Sequence, residues 1–206
     1  MTVHEHEHPA GHDLEEAPLT YHMALTEAVT ALLQVKGVFT ADELRRTIET
    51  IDSRSPADGA RLVARAWIDP GFRARLLADV NAAAAELGID IGGIPVRAVE
   101  NAPGLHNVIV CTLCSCYPRL LLGPSPAWYK SRAYRSRVVR EPRAVLAEFG
   151  LELATGLDVV VHDSTAELRY LVVPQRPDGT DGWAEERLAA LVTRDCMIGT
   201  AVPRPS

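Results

Sequence analysis

Several things are scarce in this sequence, and each shortage excludes something. Positive charge is not in surplus: 21 Lys and Arg stand against 27 Asp and Glu, a formal net charge of -6 with pI near 5.6. A mildly acidic chain is a poor match for a phosphate backbone, so nucleic acid is not an expected partner. No run approaches the roughly 20 apolar residues that span a bilayer, so no membrane is expected either. The start Met1 to His8 lacks a basic region followed by an apolar stretch, so no secretory leader is expected, and a soluble cytoplasmic protein is. No internal repeat is visible, and a solenoid is not expected. Cysteine is scarce as well, with four in 206 residues. Three of the four fall within one six-residue stretch, and in a reducing compartment such crowding suggests metal ligation or redox chemistry before disulfides.

What remains is globular in composition, with 47% hydrophobic and 23% charged residues, and long enough for one domain with appendages. Residues 1–20 carry His4, His6, His8 and His12 among acids and have little to bury, so they read as a disordered His-rich tail. Residues 21–91 have helical periodicity. Ala24, Ala28, Leu32 and Leu33 share a face, Gly37 is a stop, Thr40 to Glu43 is a capping box, and Asp69-Pro70 opens another helix. Asp79 to Leu87 reads as a further helix closed by Gly88. The long apolar faces of residues 21–91 call for docking on the later domain or on a partner chain, and the expectation is a helical arm that packs on the partner subunit. Residues 92–206 change character. Val96–Val99, Asn107–Val110, Val159–Val161 and Leu168–Val173 read as strands, while Pro142–Phe149 and Ala184 to about Thr193 read as helices. The expected fold class is α+β, a helical N-terminal arm followed by a layered α-β-β-α domain.

The chemistry concentrates in Cys111-Thr112-Leu113-Cys114-Ser115-Cys116. The strand ending at Val110 delivers the first sulfur, and a loop supplies the other two. If Cys116 binds through sulfur and its own ionised peptide nitrogen, a five-membered chelate ring closes. The peptide nitrogens of Ser115 and Cys116 close a second, and Cys114 sulfur with the Ser115 nitrogen closes a six-membered ring. Two sulfurs and two nitrogens then lie in a plane, Cys111 takes an axial position, and the sixth is open. This soft, anionic set suits a small trivalent ion, cobalt(III) or iron(III), better than hard oxygen-seeking cations. Such an ion with one open position is a Lewis acid. A structural zinc site would need a fourth ligand, for which Cys196 or His106 are the candidates. An iron–sulfur cluster lacks an evident fourth cysteine, and a redox dithiol needs only one pair. Spacing alone leaves these alternatives open.

Val110 to Tyr117, Val-Cys-Thr-Leu-Cys-Ser-Cys-Tyr, resembles the metal motif of the cobalt-type nitrile hydratase α subunit, whose iron-type relatives carry Ser and Thr in place of Thr112 and Tyr117. Trp128-Tyr129-Lys130, Tyr134 to Arg143, Pro174 to Pro177 and Gly179 to Trp183 are also similar to family segments, and the likeness runs from about residue 21 to 200. The resemblance implies a non-corrin cobalt(III), with iron(III) as the alternative, on Cys111, Cys114 and Cys116 sulfurs and the peptide nitrogens of Ser115 and Cys116. It implies Cys114 as sulfinate and Cys116 as sulfenate. The implied reaction is hydration of a small-molecule nitrile to its amide, with bound hydroxide or the Cys116 sulfenate oxygen as nucleophile. Ser115 and Tyr117 are candidate catalytic neighbours. Arginines that hold the oxidised sulfurs come, by the same resemblance, from a β-type partner in an αβ or (αβ)2 heteromer.

One residue departs from the family pattern. Members usually carry Trp three positions after the last claw cysteine, where this chain has Arg119. A guanidinium in the pocket would favour an anionic substrate, which keeps the related thiocyanate hydrolase as the alternative; a structural zinc module and a redox dithiol protein are more remote. Elsewhere, the five arginines from Arg132 to Arg143 read as a subunit interface rich in ion pairs, Cys196 as a buried structural thiol, and His106 and His162 as hydrogen-bonded structural residues.

Overall fold

Local capping sets where the helices begin. In the computed structural model, which describes residues 20–205, Thr20 accepts from the Met23 amide and opens α1 (Tyr21–Val35). Thr40 and Glu43 form the expected reciprocal box at the head of α2 (Ala41–Asp52), with the Thr40 amide donating to Glu43 Oε2 at 2.7 Å and the Glu43 amide to Thr40 Oγ1 at 3.1 Å. That backbone hydrogen bond from Thr40 holds the Glu43 carboxyl below its ordinary range. Asp69 accepts from the Phe72 amide ahead of α4 (Pro70–Ala78), and Asp79 from the Ala82 amide ahead of α5 (Val80–Glu86). The His-rich segment lies outside the described residues.

The chain divides into two compact units, one ending at Ile48 and one beginning at Glu49. In the first, α1 buries none of its side chains, and Leu25, Val29, Leu32 and Val35 on it are exposed. The second holds the hydrophobic core, and α3 (Ala57–Ile68), α4 and α5 are part of it through Leu62, Val63, Phe72, Leu76, Val80 and Ala84. Of the two docking surfaces open to residues 21–91, the later domain therefore takes the stretch from α3 to α5, which contributes to one core with the strands.

Four strands form two parallel pairs. β1 (Val96–Glu100) pairs with β4 (Arg169–Val173), Val96 opposite Arg169, and β2 (Leu105–Val110) pairs with β3 (Asp158–Asp163), Val110 opposite Asp163. Helices α4 and α5 contact β1, β2 contacts β4, and α8 (Pro142–Glu148) contacts β3, giving the expected α+β layering. Five of the six β2 residues are buried, because β2 is sandwiched between its own partner and the β1–β4 pair. Among the described residues no helix is long and apolar enough to cross a membrane.

A parallel pair needs a long crossover, and the β2–β3 crossover carries the cysteine cluster. It contains α6 (Arg119–Leu122), a 3-10 turn at Ala127–Lys130, α7 (Arg132–Arg137) and α8. The late helix expected from Ala184 to about Thr193 is shorter, α9 (Glu185–Ala189), and a further helix beyond it, α10 (Arg194–Ile198), starts where Thr193 accepts from the Cys196 amide.

The end of α10 is locked to β2. Gly199 has φ +93°, and its carbonyl accepts from His106 Nε2 at 2.7 Å, while Asn101 Nδ2 lies 3.3 Å from Nδ1 of the same ring. Burial lowers the His106 pKa, so the ring is held neutral. A Cβ on Gly199 would lie 2.1 Å from the Asn107 carbonyl oxygen. Gly199→Ala should therefore cost more than about 3 kcal/mol, against about 1 kcal/mol for Gly179→Ala, which is also at positive φ but has open space around it. Thermal unfolding of the two variants side by side checks the difference.

Candidate metal centre

The cluster starts where β2 ends. Cys111 follows Val110 directly and is fully buried, Cys114 is exposed, and Cys116 is half-buried. Because β2 and β3 run parallel in register, Asp163 at the end of β3 lies beside the first turn of the loop. Its carboxylate accepts from the Thr112 amide at 2.9 Å and from Thr112 Oγ1 at 2.5 Å, and the Ser164 amide donates to the Val110 carbonyl at 2.7 Å. The far side is held by aromatic and basic residues of the crossover. Tyr129 Oη donates to the Cys116 carbonyl at 2.9 Å, Arg135 Nη1 to the Cys114 carbonyl at 3.0 Å, and Tyr134 Oη to the Ile109 carbonyl at 2.7 Å. The rings of Tyr117, Trp128, Tyr129, Tyr134 and Phe149 meet edge to face or tilted, at centroid distances from 4.6 to 6.1 Å, and so stiffen these anchors.

The sulfur spacing is informative. Cys111 Sγ and Cys114 Sγ are 3.4 Å apart, Cys114 Sγ and Cys116 Sγ are 3.2 Å apart, and all three lie within 4.8 Å of one another. With metal–sulfur bonds of about 2.3 Å, neighbouring sulfurs stand about 3.3 Å apart when the bonds meet at a right angle and about 3.8 Å apart in a tetrahedron. Both short distances fit the right angle. The Ser115 and Cys116 amides both point at Cys114 Sγ, and the Cys114 amide donates to Cys111 Sγ at 3.3 Å. The Ser115 and Cys116 nitrogens thus lie next to the Cys114 sulfur, on the loop that carries all three sulfurs. Among the described residues the fourth cysteine stands apart, buried against Thr193, and His106 is committed to Gly199 and Asn101. The residues fit a small trivalent ion with soft and anionic ligands better than zinc.

Charge is unevenly held across the cluster. Hydrogen bonds from Cys116, then Cys111, then the Ser115 amide bring the Cys114 thiol down to about 7. Burial, followed by the hydrogen bond with Cys114, pushes the Cys116 thiol up to about 12, with Arg169 pulling the other way. Beside the cluster is a cleft of about 460 Å³, lined by Cys114, Ser115, Cys116, Tyr117 and Arg119 and by residues of the Ile91–Val96 segment. Lys130 and Arg169 also line it, and among the described residues no Asp or Glu does. Burial raises the Tyr117 pKa, so its hydroxyl stays protonated, and that hydroxyl has no hydrogen-bond partner.

Every residue expected at the site is thus in one place: Cys111, Cys114, Ser115 and Cys116 in the cluster, Tyr117 and Arg119 in the cleft wall. Asp163, Tyr129, Arg135 and Arg169 were not expected there. Asp163 follows Thr112 by 51 positions, and nothing in local spacing links the two. The arginines from Arg132 to Arg143 are largely engaged within the chain. Arg137 pairs with Glu141 and Glu148, both at 2.6 Å, Arg143 donates to carbonyls at Leu153, Ala154 and Leu157, and Arg135 holds the cluster loop.

The family model described as "Nitrile hydratase, alpha chain" matches residues 20–201. The chain belongs to the nitrile hydratase alpha-chain family. It is 49% identical over 179 residues to the cobalt-containing nitrile hydratase subunit alpha of Pseudonocardia thermophila, with 85% of this chain and 88% of that protein covered. It is 45% identical over 193 residues to the thiocyanate hydrolase subunit gamma of Thiobacillus thioparus, covering 88% and 79% respectively. A solved recombinant thiocyanate hydrolase with partially modified cobalt centres superposes with a TM-score of 0.86 at 44% identity, covering 91% of this chain and 92% of that one. The cluster and its cleft lie within the span that the family model matches.

The thiol charges give a pH signature. In the metal-free chain, alkylation of Cys114 by iodoacetamide should rise as pH increases through about 7 and level off above it, since the thiolate is the nucleophile. Cys116 should stay unreactive over that range, and peptide mapping of the modified residues reads both rates.

Proposed function

We propose that this chain is the metal-bearing α-type subunit of a cobalt enzyme that hydrates a nitrile to its amide, working with a β-type subunit in an αβ or (αβ)2 assembly. The observation that carries the reading is the close spacing of two sulfur pairs, Cys111 to Cys114 at 3.4 Å and Cys114 to Cys116 at 3.2 Å, with the Ser115 and Cys116 amides beside the shared Cys114 sulfur. A structural zinc module would want wider sulfurs and a fourth donor, and a redox dithiol would leave the third sulfur without a role. Cobalt rather than iron follows from Thr112 and Tyr117 in the motif, and it agrees with the cobalt-containing relatives.

Cys111, Cys114, Ser115 and Cys116 would hold the cobalt(III), which would supply Lewis acidity when bound. The chain's own residues do the rest. Asp163 and Tyr129 fix the loop at its two ends, so the donors are preorganised rather than gathered at each turnover. Tyr117 and Ser115 both line the cleft beside the cluster, and burial keeps the Tyr117 hydroxyl protonated. The apolar wall of Ile91, Ile94, Val96 and Leu121 receives the hydrocarbon part of a nitrile.

A second reading, hydrolysis of thiocyanate, is favoured by one observation: Arg119 lines the cleft with Lys130 and Arg169, and no carboxylate balances them there. Co-expression with the β-type chain decides the chemistry. About one cobalt per chain, no zinc, and a mass increased by oxygen on Cys114 and Cys116 are expected; stoichiometric zinc with unmodified cysteines overturns the proposal. The purified complex is then offered an aliphatic nitrile and thiocyanate. Turnover of the nitrile is expected, and turnover of thiocyanate alone transfers the assignment to the second reading. Arg119→Trp should raise KM for thiocyanate several-fold and leave that for a neutral nitrile nearly unchanged.

A further inference from the structure

Arg169 is the first residue of β4, and the parallel pairing sets it opposite Val96, with its amide donating to the Pro95 carbonyl at 2.9 Å. Its side chain lines the cleft together with Cys114, Ser115 and Cys116. The guanidinium is poorly satisfied. Nε is buried without a hydrogen-bond partner, and Nη1 reaches only the carbonyl of the adjacent Leu168, at 3.5 Å. Among the described residues no carboxylate forms an ion pair with it. A part-buried cation without a counter-charge is costly, and proteins keep one where an anion completes it.

The anion that fits is the loaded cluster itself. Three thiolates and two ionised peptide nitrogens outweigh a trivalent ion, so the site is negative when filled, and oxygen added to sulfur brings further acceptors. We propose that Arg169 is a positioning residue supplied by this chain: its guanidinium balances the charge of the loaded cysteine cluster and holds the Cys116 side of it. The arginines that the family resemblance assigns to the β-type partner approach from another chain, whereas Arg169 is fixed by a strand of the same core. The proposal rests on the cobalt reading above and adds to it a requirement for one named cation.

The test uses the co-expressed complex with wild-type chain, Arg169→Gln, Arg169→Lys, and Arg97→Gln as a control that removes a cation from the neighbouring strand. Each is loaded with cobalt, challenged with a chelator, and followed by cobalt content and by the sulfur-to-cobalt charge-transfer absorption, with thermal unfolding as the check on folding. Arg169→Gln should release cobalt roughly 10- to 100-fold faster and shift the absorption, the usual scale for loss of a partner to metal ligands. Arg169→Lys keeps the charge and should fall within several-fold of wild type, and Arg97→Gln should match wild type. Retention by Arg169→Gln equal to wild type with an unchanged absorption overturns the proposal, as does a Lys variant no better than Gln. If Arg169→Gln fails to fold, Arg169→Lys decides: cobalt release more than about 10-fold faster than wild type in that variant overturns the proposal, because the balancing charge is still present. A wild-type complex that takes up no cobalt refutes the earlier reading instead, so the two failures are told apart.

Discussion

The register of one strand pair governs this site. β2 and β3 run parallel with Val110 opposite Asp163, so both strands end at the same level and the chain leaving β2 meets a carboxylate within hydrogen-bonding reach. Thr112 gives both of its donors to that carboxylate. A slip of one residue would turn every side chain of β2 to its other face, carry Cys111 out of the core and aim Asp163 elsewhere. The layering of helices around the two strand pairs protects that register, since β2 is buried along nearly its whole length and cannot shift without exposing apolar side chains.

Electrostatics in the cleft follows from the same frame. The walls contribute cations from three places, Arg119 on α6, Lys130 on the 3-10 turn and Arg169 on β4, and the loop between them contributes sulfur. Acidic residues outnumber basic ones in the chain as a whole, yet none among the described residues lines this cleft. Local sign is therefore opposite to global sign, which is what a site that gathers anionic ligands around a multivalent ion requires.

The sequence was most legible where cause and effect are close together in the chain. Capping signals at Thr40 and Asp69 each act within three residues, and the structure has those caps. The cysteine motif is six residues long, so its ring geometry could be worked out on paper. The four strands were placed to within two residues at each end, but their pairing was not, because partners lie as far apart as Val96 and Arg169. The same distance hid Asp163, Tyr129 and Arg169, whose roles exist only after the crossover has folded back. The short helix after Thr193 was missed for a different reason: its one start signal is the Thr193 hydroxyl accepting from the Cys196 amide, and five residues are too few to show a periodicity.

The three sulfurs also differ in how far solvent reaches them. Cys111 is sealed at the end of β2, Cys116 is half-covered beneath the Tyr129 anchor, and Cys114 is open. A dissolved oxidant diffusing in from bulk water therefore collides with the three atoms at very different frequencies, and the sealed one stays out of reach. A loop built from chemically identical side chains acquires an order of vulnerability from burial alone, and asymmetry of this kind lets a protein alter two atoms of a cluster while sparing the third.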